Sequence, residues 1–354
     1  MDLTEARETK AQLTDYARDL AERYGVGVTA QTAPDAAPAD AVRAPTIAIG
    51  LAPAAEPGEF AIAVRYRLGV PAARAVVRRV AAEVAAVDVR RTGRIHRLDA
   101  GRPAGERVLR PQPPVATAYA LGETGRVRPL RPGVSVAHVD VTAGTLGGFV
   151  VADPDRTGVV TLPGTPESVY ALSNRHVLDG APGDGVLQPG PADGGTDPAD
   201  RVGVVGAVVP LARGERAAVD AAVALLDDPD VDPTYPVGRV STTAVAVPGD
   251  TVEKIGRTTG HTFGRVTAIE MDDVLVGYGP ELGVLAFDDQ IEVESTRDGS
   301  FSEGGDSGSV VYRSDGVALG LLFAGSETGG TDGTGLTYVN PIGAVLDALG
   351  VRLV

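Results

Sequence analysis

Residues 302–311 read "SEGGDSGSVV" and place Ser307 directly between Asp306 and Gly308. Glycine, aspartate and serine are ordinary turn residues, so the stretch alone is as compatible with a polar turn as with a nucleophilic serine. A nucleophilic serine needs a base to take its proton and a carboxylate to orient that base. The interpretation of Ser307 therefore depends on the histidines and carboxylates in the rest of the chain.

The chain contains 4 histidines, and all of them precede Ser307. The order serine, acid, histidine of an α/β-hydrolase therefore cannot be built, and the stretch is not G-x-S-x-G. His176 lies in "YALSNRHVLDG", where an apolar run ends in polar residues, which predicts an imidazole at a strand end, facing a cleft. We interpret His96 and His138 as surface or capping residues and His261 as structural or substrate-adjacent.

Asp220 lies in "AAVDAAVALL", where it is a single carboxylate among apolar residues. Burying a carboxylate without a hydrogen-bond partner is costly. The segment therefore predicts a buried aspartate with a specific polar partner.

The blocks "ALSNRHVL", "VDAAVALL" and "GGDSGS" resemble the three catalytic blocks of trypsin-like serine proteases of the chymotrypsin fold, in the order His, Asp, Ser. The intervals, 220 − 176 = 44 and 307 − 220 = 87, are similar to those of the family. "GTLGGFVV", "EKIGRTTGHTFGRV" and "LTYVNPIGAVLDALGV" resemble further segments of its bacterial members, so the resemblance covers residues 132–354. The N-terminal unit followed by "RPGVSVAH" is similar to a subgroup that includes the plant narrow-leaf proteases.

This resemblance implies a mainly β fold, a double β-barrel with a C-terminal helix, and a serine endopeptidase. It implies that Ser307 is the nucleophile, that His176 is the base and that Asp220 orients the histidine. The backbone N–H groups of Gly305 and Ser307 would form an oxyanion hole. The substrate pocket would be formed by Phe301 at its base and by Phe323, Ala324 and Gly325 along one wall.

The pocket and the acid beside the nucleophile leave two questions open. An uncharged base indicates a small or medium apolar substrate side chain, but the bulk of Phe301 is equally compatible with a closed pocket. The sequence does not identify a partner for Asp306. An alternative function is therefore a protease-fold scaffold or peptide-binding module with little turnover, although such a module has no need of all three catalytic groups.

The N-terminal third is predicted to be a separate unit. Residues 3–23 have an amphipathic helical pattern, and residues 1–98 as a whole predict a helix followed by a small α+β domain. Residues 99–131 form a Pro- and Arg-rich linker before the protease domain at 132–354. We expect the unit to control access or assembly, and its apolar helix stripe also permits homo-oligomers.

The amino-acid composition supports a mainly β fold and argues against nucleic-acid and membrane partners. Gly (46) and Pro (26) are abundant and only 4% of residues are aromatic, which favours many short strands and turns. A net charge of −15 argues against a nucleic-acid partner, because phosphate binding relies on Lys and Arg. No stretch is apolar enough for a membrane span or signal peptide, so we expect a cytoplasmic protein without a membrane partner.

No cofactor or metal is predicted from the sequence. With 0 cysteines there can be no thiol nucleophile, disulfide or cysteine zinc site, and the histidines do not form H-E-x-x-H. The acidic runs "LLDDPDVDP" and "EMDDV" do not match a calcium-binding loop. Protein or peptide substrate is the partner that the sequence predicts.

Overall fold

The computed structural model describes residues 1–23, 47–67, 71–98 and 122–354. Most of the predicted linker, residues 99–121, therefore lies outside the described residues. The helices are α1 (Leu3–Arg23), α2 (Pro71–Ala82), α3 (Gly279–Leu282) and α4 (Ile342–Leu349), with a 3₁₀ turn at Pro191–Asp193.

The strands of the N-terminal region are β1 (Ile47–Pro53), β2 (Phe60–Arg67), β3 (Val87–Thr92) and β4 (Ile95–Arg97). The next strands are β5 (Ser135–His138), β6 (Gly144–Thr145), β7 (Gly148–Ala152), β8 (Tyr170–Ser173), β9 (Gly185–Leu187), β10 (Arg201–Val208), β11 (Arg216–Ala217) and β12 (Ala222–Leu226). The remaining strands are β13 (Thr234–Tyr235), β14 (Gly238–Arg239), β15 (Thr242–Thr243), β16 (Thr251–Gly256), β17 (Gly260–Asp272), β18 (Val274–Gly277), β19 (Val284–Phe287), β20 (Gln290–Ser295), β21 (Val310–Tyr312), β22 (Val317–Ser326), β23 (Thr337–Pro341) and β24 (Val351–Leu353).

The first of the two β units is a sheet with the strand order β24-β7-β8-β12-β10-β9-β5-β6. Its strands are short and rich in valine, leucine and alanine, and their buried side chains form a continuous apolar cluster. The C-terminal strand β24 pairs with β7, so the end of the chain returns to the first unit. Helix α4 precedes β24 and buries Ile342, Val345, Leu346 and Leu349, which share one face because they recur at intervals of three and four residues.

The second unit is a closed barrel. Strands β16, β17, β20, β23, β22 and β21 each pair with the next, and β21 pairs back to β16. Closure leaves no unpaired edge within this ring, and the alternating burial along β16 is that of a strand with one face toward the barrel core. The predicted mainly β, double-barrel fold is confirmed.

The N-terminal strands extend the sheet of the second unit. Strand β1 pairs antiparallel with β17 (Ile49↔Asp272), and β2 pairs with β1. Strand β3 lies parallel to β2, and α2 supplies the crossover that a parallel pair requires. The domain boundary at residue 98 stays a prediction.

Helix α1 lies over this sheet extension. Ala6, Leu13, Ala17 and Leu20 are buried in the apolar cluster that also contains residues of β1, β2 and α2. The apolar stripe of α1 is therefore covered within the chain itself, and homo-oligomerisation through it stays a prediction. None of the described helices is both long enough and apolar enough to span a bilayer.

A buried ion pair joins the N-terminal strands to the barrel. Arg65 on β2 is 1% exposed, and its Nη2 lies 2.8 Å from Oε1 of Glu292 on β20, whose side chain is 0% exposed. The same nitrogen lies 2.9 Å from Oδ2 of Asp88. Burial lowers the pKa of Arg65, but the carboxylates of Glu292 and Asp88 raise it further, so the guanidinium stays charged.

Candidate active site

The turn that carries Ser307 is held in a conformation that requires glycine. Gly305 has φ +99° and Gly308 has φ +97°, values at which side chains are strained. A Cβ on Gly308 would lie 2.2 Å from the carbonyl oxygen of Thr145 and 2.3 Å from Oγ of Ser173. The turn of the second unit therefore packs tightly against strands β6 and β8 of the first.

Thr145 fixes this turn through several hydrogen bonds. Its N–H donates to the carbonyl oxygen of Ser307 at 2.8 Å, and its hydroxyl donates to the carbonyl oxygen of Gly305 at 2.8 Å. Ser173 in turn donates its hydroxyl to the Thr145 carbonyl oxygen at 2.8 Å. Both ends of the segment that bears Ser307 are thus anchored across the seam between the units.

His176 and Asp220 are brought together by the pairing of β8 with β12. Ser173 at the end of β8 is opposite Ala222 at the start of β12, so the residues just beyond these ends meet at the same edge. A hydrogen bond of 2.5 Å joins His176 Nδ1 to Asp220 Oδ2, and both side chains are 0% exposed. The backbone N–H of His176 also donates to Oδ1 of Asp220 at 3.2 Å.

Further residues hold Asp220 in place. The Tyr278 hydroxyl donates to Oδ2 of Asp220, and the backbone N–H of Asp220 donates to Oδ1 of Asn340 at 2.9 Å. Asn174 donates its side-chain amide to the Asp220 carbonyl oxygen at 2.7 Å. Burial raises the pKa of Asp220, but the charge of His176 and the hydrogen bonds from His176 and Tyr278 lower it more, so its pKa is below the usual value.

Tyr278 and Asn340 were not identified from the sequence. Both come from the second unit, on loops and strands far along the chain from Asp220. The buried "AAVDAAVALL" context predicted that Asp220 needs partners, but it does not indicate which distant residues supply them.

The Ser307 side chain is buried, and its hydroxyl donates to the carbonyl oxygen of Phe323 on β22 at 3.2 Å. Strand β22 thus contributes a backbone carbonyl group beside Ser307, and the role of Phe323, Ala324 and Gly325 as a pocket wall stays a prediction.

Asp306 pairs with a lysine from within the barrel. Its Oδ2 lies 3.3 Å from Nζ of Lys254 on β16, and both side chains are 0% exposed. Its carboxylate also accepts the N–H groups of Thr258 at 2.8 Å and Glu303 at 2.9 Å. Burial lowers the pKa of Lys254, and Asp306 opposes that shift. The partner of Asp306, which the sequence did not identify, is therefore Lys254.

Phe301, predicted to form the base of the pocket, is 3% exposed. Its side chain belongs to the apolar cluster of the barrel core, and a Cβ on Gly264 would lie 2.8 Å from its Cδ2. Phe323 and Ala324 are also buried, but they belong to a different apolar cluster, which includes Tyr278 and Phe287. That these residues line one substrate pocket stays a prediction.

Strand β4, which was not predicted to lie near Ser307, runs alongside β22. Strand β4 pairs antiparallel with β22, with Arg97 opposite Ala324 and His96 opposite Gly325. The next residue, Leu98, accepts a hydrogen bond of 2.7 Å on its carbonyl oxygen from the Gly305 N–H. The "TGRIHRL" segment predicts a strand, but nothing in it identifies this distant partner.

His138 and His261 hydrogen-bond residues other than the His176–Asp220 pair, and His96 on β4 is exposed. His138, predicted to be a surface or capping residue, is 5% exposed, and its Nδ1 accepts the N–H of Asp140 at 3.1 Å, so it caps a turn from a buried position. His261 hydrogen-bonds Glu253 at 2.7 Å on the neighbouring strand. Within the described residues, His, Asp and Glu side chains form no group of three or more with metal-binding geometry.

No protein-family model and no curated protein match the chain. Similar solved structures include Thermobifida fusca protease A, at 20% identity and a TM-score of 0.43 over 64% of this chain and 98% of that one. A glutamic acid-specific serine protease is 22% identical, with a TM-score of 0.43 over 64% of this chain and 100% of that one. A Nocardiopsis protease is 18% identical, with a TM-score of 0.42 over 63% of this chain and 98% of that one. These neighbours are bacterial serine proteases, and they give no support to the closer similarity with the plant subgroup.

Proposed function

We propose that the chain is a serine endopeptidase that cleaves peptide bonds through an acyl-enzyme intermediate. The observation that carries the proposal is the 2.5 Å hydrogen bond between fully buried His176 and Asp220, at the strand ends that pack against the Ser307 turn. A buried aspartate with this specific histidine partner is the arrangement that orients a general base. A peptide-binding module without turnover has no need of an oriented general base.

In the proposed mechanism Ser307 Oγ attacks the carbonyl carbon of the scissile bond, and His176 takes the hydroxyl proton. Asp220 holds the imidazole in one tautomer through Nδ1 and stabilises the imidazolium that forms. His176 then gives the proton to the leaving amine, and water hydrolyses the ester on Ser307. The depressed pKa of Asp220 supports this role, because the carboxylate stays ionised at neutral pH.

The oxyanion is stabilised in this proposal by the backbone N–H groups of Gly305 and Ser307. The assignment of Gly305 as an oxyanion donor is supported by the hydrogen bond that its N–H makes, at 2.7 Å, to the carbonyl oxygen of Leu98. The Lys254–Asp306 pair and Thr145 keep the turn in the conformation that directs this amide toward the cleft. A preorganised donor of this kind typically contributes about 100- to 1000-fold in rate.

One observation favours a second candidate function, a peptide-binding module without useful turnover. Strand β4 of the same chain lies along β22, so the cleft already holds a peptide strand in this structure. A binding module would hold such strands without cutting them. The two functions differ in whether Ser307 is needed for anything beyond the shape of the site.

The test is the cleavage of a mixed peptide library, read by mass spectrometry, with the wild-type chain and the Leu98→Ala variant. Variants Ser307→Ala, His176→Ala and the double variant are measured beside them. We expect cleavage that each single substitution abolishes and that the double variant reduces no further, because groups that act as a unit are non-additive. If the wild-type chain binds peptides but cleaves them no faster than Ser307→Ala does, the binding module is favoured.

A further inference from the structure

The short strand β4 occupies a position between two strands of the second unit. It pairs antiparallel with β22 through Ile95, His96 and Arg97, and it lies parallel to β18, with His96 opposite Gly277. The sheet order β18-β4-β22 places a segment from before both barrels inside the site. Its backbone runs along the wall formed by Phe323, Ala324 and Gly325.

Leu98, the residue after β4, is held at both of its backbone polar groups. Its N–H donates to the carbonyl oxygen of Phe323 at 3.3 Å, and its carbonyl oxygen accepts the Gly305 N–H at 2.7 Å. The Ser307 hydroxyl donates to the same Phe323 carbonyl oxygen at 3.2 Å. Because the Leu98 N–H and the Ser307 hydroxyl share one acceptor, the backbone of Leu98 runs past the proposed nucleophile, with its carbonyl oxygen on the Gly305 N–H.

The Leu98 side chain fits the apolar pocket. It is 7% exposed and belongs to the same buried cluster as Phe301. A Cβ on Gly325 would lie 3.0 Å from Cδ2 and 3.2 Å from Cδ1 of Leu98, so the missing side chain at Gly325 makes room for the leucine. A branched aliphatic side chain therefore fits in the buried space beside Gly325.

The residue before Leu98 contacts the group that supports the acid. The Arg97 guanidinium carbon lies 5.9 Å from the ring centroid of Tyr278, and the Tyr278 hydroxyl donates to Asp220. The segment is thus in register with the whole site: leucine in the pocket, its carbonyl at Gly305, and the preceding residue over Tyr278.

We propose that this site binds peptide strands antiparallel to β22 with leucine at the residue immediately before the cleaved bond. Residues 95–98 are the chain's own occupant of that site and compete with substrate for it. The inference rests on the proposed endopeptidase function and names its substrate class. It follows from the two backbone hydrogen bonds of Leu98 together with the burial of its side chain against Gly325.

The test uses the intact 354-residue chain and fluorogenic peptides that differ only in the residue before the cleaved bond: Leu, Ala, Phe, Glu or Arg. We expect kcat/KM to be highest for Leu, about 10-fold or more above Ala, because each lost methylene in an apolar pocket lowers it severalfold. Glu and Arg should be poorest, since their charges would be buried without partners.

Displacement of β4 is measured with two variants. Leu98→Asp places in the apolar pocket a carboxylate that the pocket cannot accommodate, whereas Leu98→Ala shortens the side chain and adds no charge. We expect hydrolysis of the Leu peptide to rise at least severalfold in Leu98→Asp and less in Leu98→Ala. Val89→Asp is the matched control, because it makes a similar change at a residue of the same region that is 39% exposed. Its rate should equal that of the wild-type chain, and circular dichroism checks that each variant folds.

Three outcomes separate this inference from the proposed function. A Leu preference with faster hydrolysis in Leu98→Asp supports the inference, as does cleavage of the chain itself after Leu98 that depends on Ser307. Reaction of Ser307 with a fluorophosphonate probe, together with a preference for another residue, overturns the inference and leaves the endopeptidase function standing. If neither the wild-type chain nor a folded Leu98→Asp or Leu98→Ala variant reacts with the probe or cleaves any peptide, both are wrong.

Discussion

The ammonium group of Lys254 lies 3.3 Å from the carboxylate of Asp306, and both side chains are fully buried. Asp306 directly precedes Ser307, so the conformation of the proposed oxyanion-binding turn depends on a cation from inside the barrel. Two buried charges are expensive to remove from water and remain stable only as a well-bonded pair.

We predict that Lys254→Met destabilises the fold by about 3 to 5 kcal/mol, because it leaves Asp306 buried without a cation. Peptide hydrolysis should fall with it, since the turn is no longer held. Urea unfolding and kcat/KM measure the two effects. Lys10→Met is the control, because the side chains of Lys10 and its partner Asp272 are still 11% and 25% exposed, so water reaches this ion pair and its loss should cost less than loss of the fully buried pair. Equal losses for the two lysines would contradict the account, and Lys254→Met/Asp306→Asn should restore part of the stability.

Asp220→Asn should lower kcat by about 10,000-fold, because the amide favours the wrong histidine tautomer. The folded-state pKa of Asp220 is depressed, so its charge contributes stability above the ordinary carboxyl pKa of about 3.9, and that contribution is lost as pH falls through the lower folded pKa. The stability difference between wild type and Asp220→Asn should therefore be present at neutral pH and shrink under acid conditions. Exposed Asp227→Asn should show neither effect, and a pH-independent difference would argue against the ionised pair.

Gly305→Ala should reduce kcat/KM by about 100- to 1000-fold, because a side chain at φ +99° is strained and turns the N–H away from the substrate carbonyl. Gly299→Ala is a close control: its φ is +92°, and a Cβ there meets nothing within 4 Å. Both variants should lose similar stability on thermal unfolding. Only Gly305→Ala should lose activity, and retained activity would exclude the Gly305 N–H as an oxyanion donor.

Arg65→Met should destabilise the protein by about 3 to 5 kcal/mol by leaving Glu292 unpaired in the core. Because Arg65 lies on β2 and Glu292 on a barrel strand, the loss should be seen in the barrel as well as in the N-terminal strands, in one cooperative transition. Hydrogen exchange of β20 measures this directly. Arg7→Met, which breaks an exposed pair with Glu270, should change the free energy of unfolding by about 1 kcal/mol or less. Undisturbed exchange in β20 would mean that the N-terminal strands unfold independently.

The fold could be predicted because several local patterns agreed. The abundance of glycine and proline indicated many short strands and turns, and the resemblance of the blocks around His176, Asp220 and Ser307 to those of trypsin-like serine proteases implied the double-barrel arrangement. The amphipathic spacing of residues 3–23 predicted α1, because an apolar stripe on a helix depends only on local sequence. The apolar context of Asp220 predicted that it needs a polar partner, and the resemblance to trypsin-like serine proteases implied that this partner is His176, to which it is hydrogen-bonded.

The residues that the sequence did not reveal are those whose role depends on distant pairing. Tyr278 and Asn340 reach Asp220 only because the two units pack against each other. Lys254 was closer to being predictable: period-2 alternation along "TVEKIG" places it on the same face as buried Val252, so one of the chain's two lysines had to point inward. The placement of Leu98 depends on β4 pairing with β22, which no local pattern encodes.

The central claim is that Ser307 is an activated nucleophile, and covalent labelling with a fluorophosphonate probe tests it most directly. The wild-type chain, Leu98→Asp, Leu98→Ala, Ser307→Ala and His176→Ala are incubated with the probe, and the modified peptide is located by mass spectrometry. We predict one adduct, on Ser307, that forms faster when β4 is displaced by the Leu98 substitutions and is lost in Ser307→Ala and His176→Ala. If folded Leu98 variants form no adduct, or if the adduct persists in Ser307→Ala, the account is contradicted.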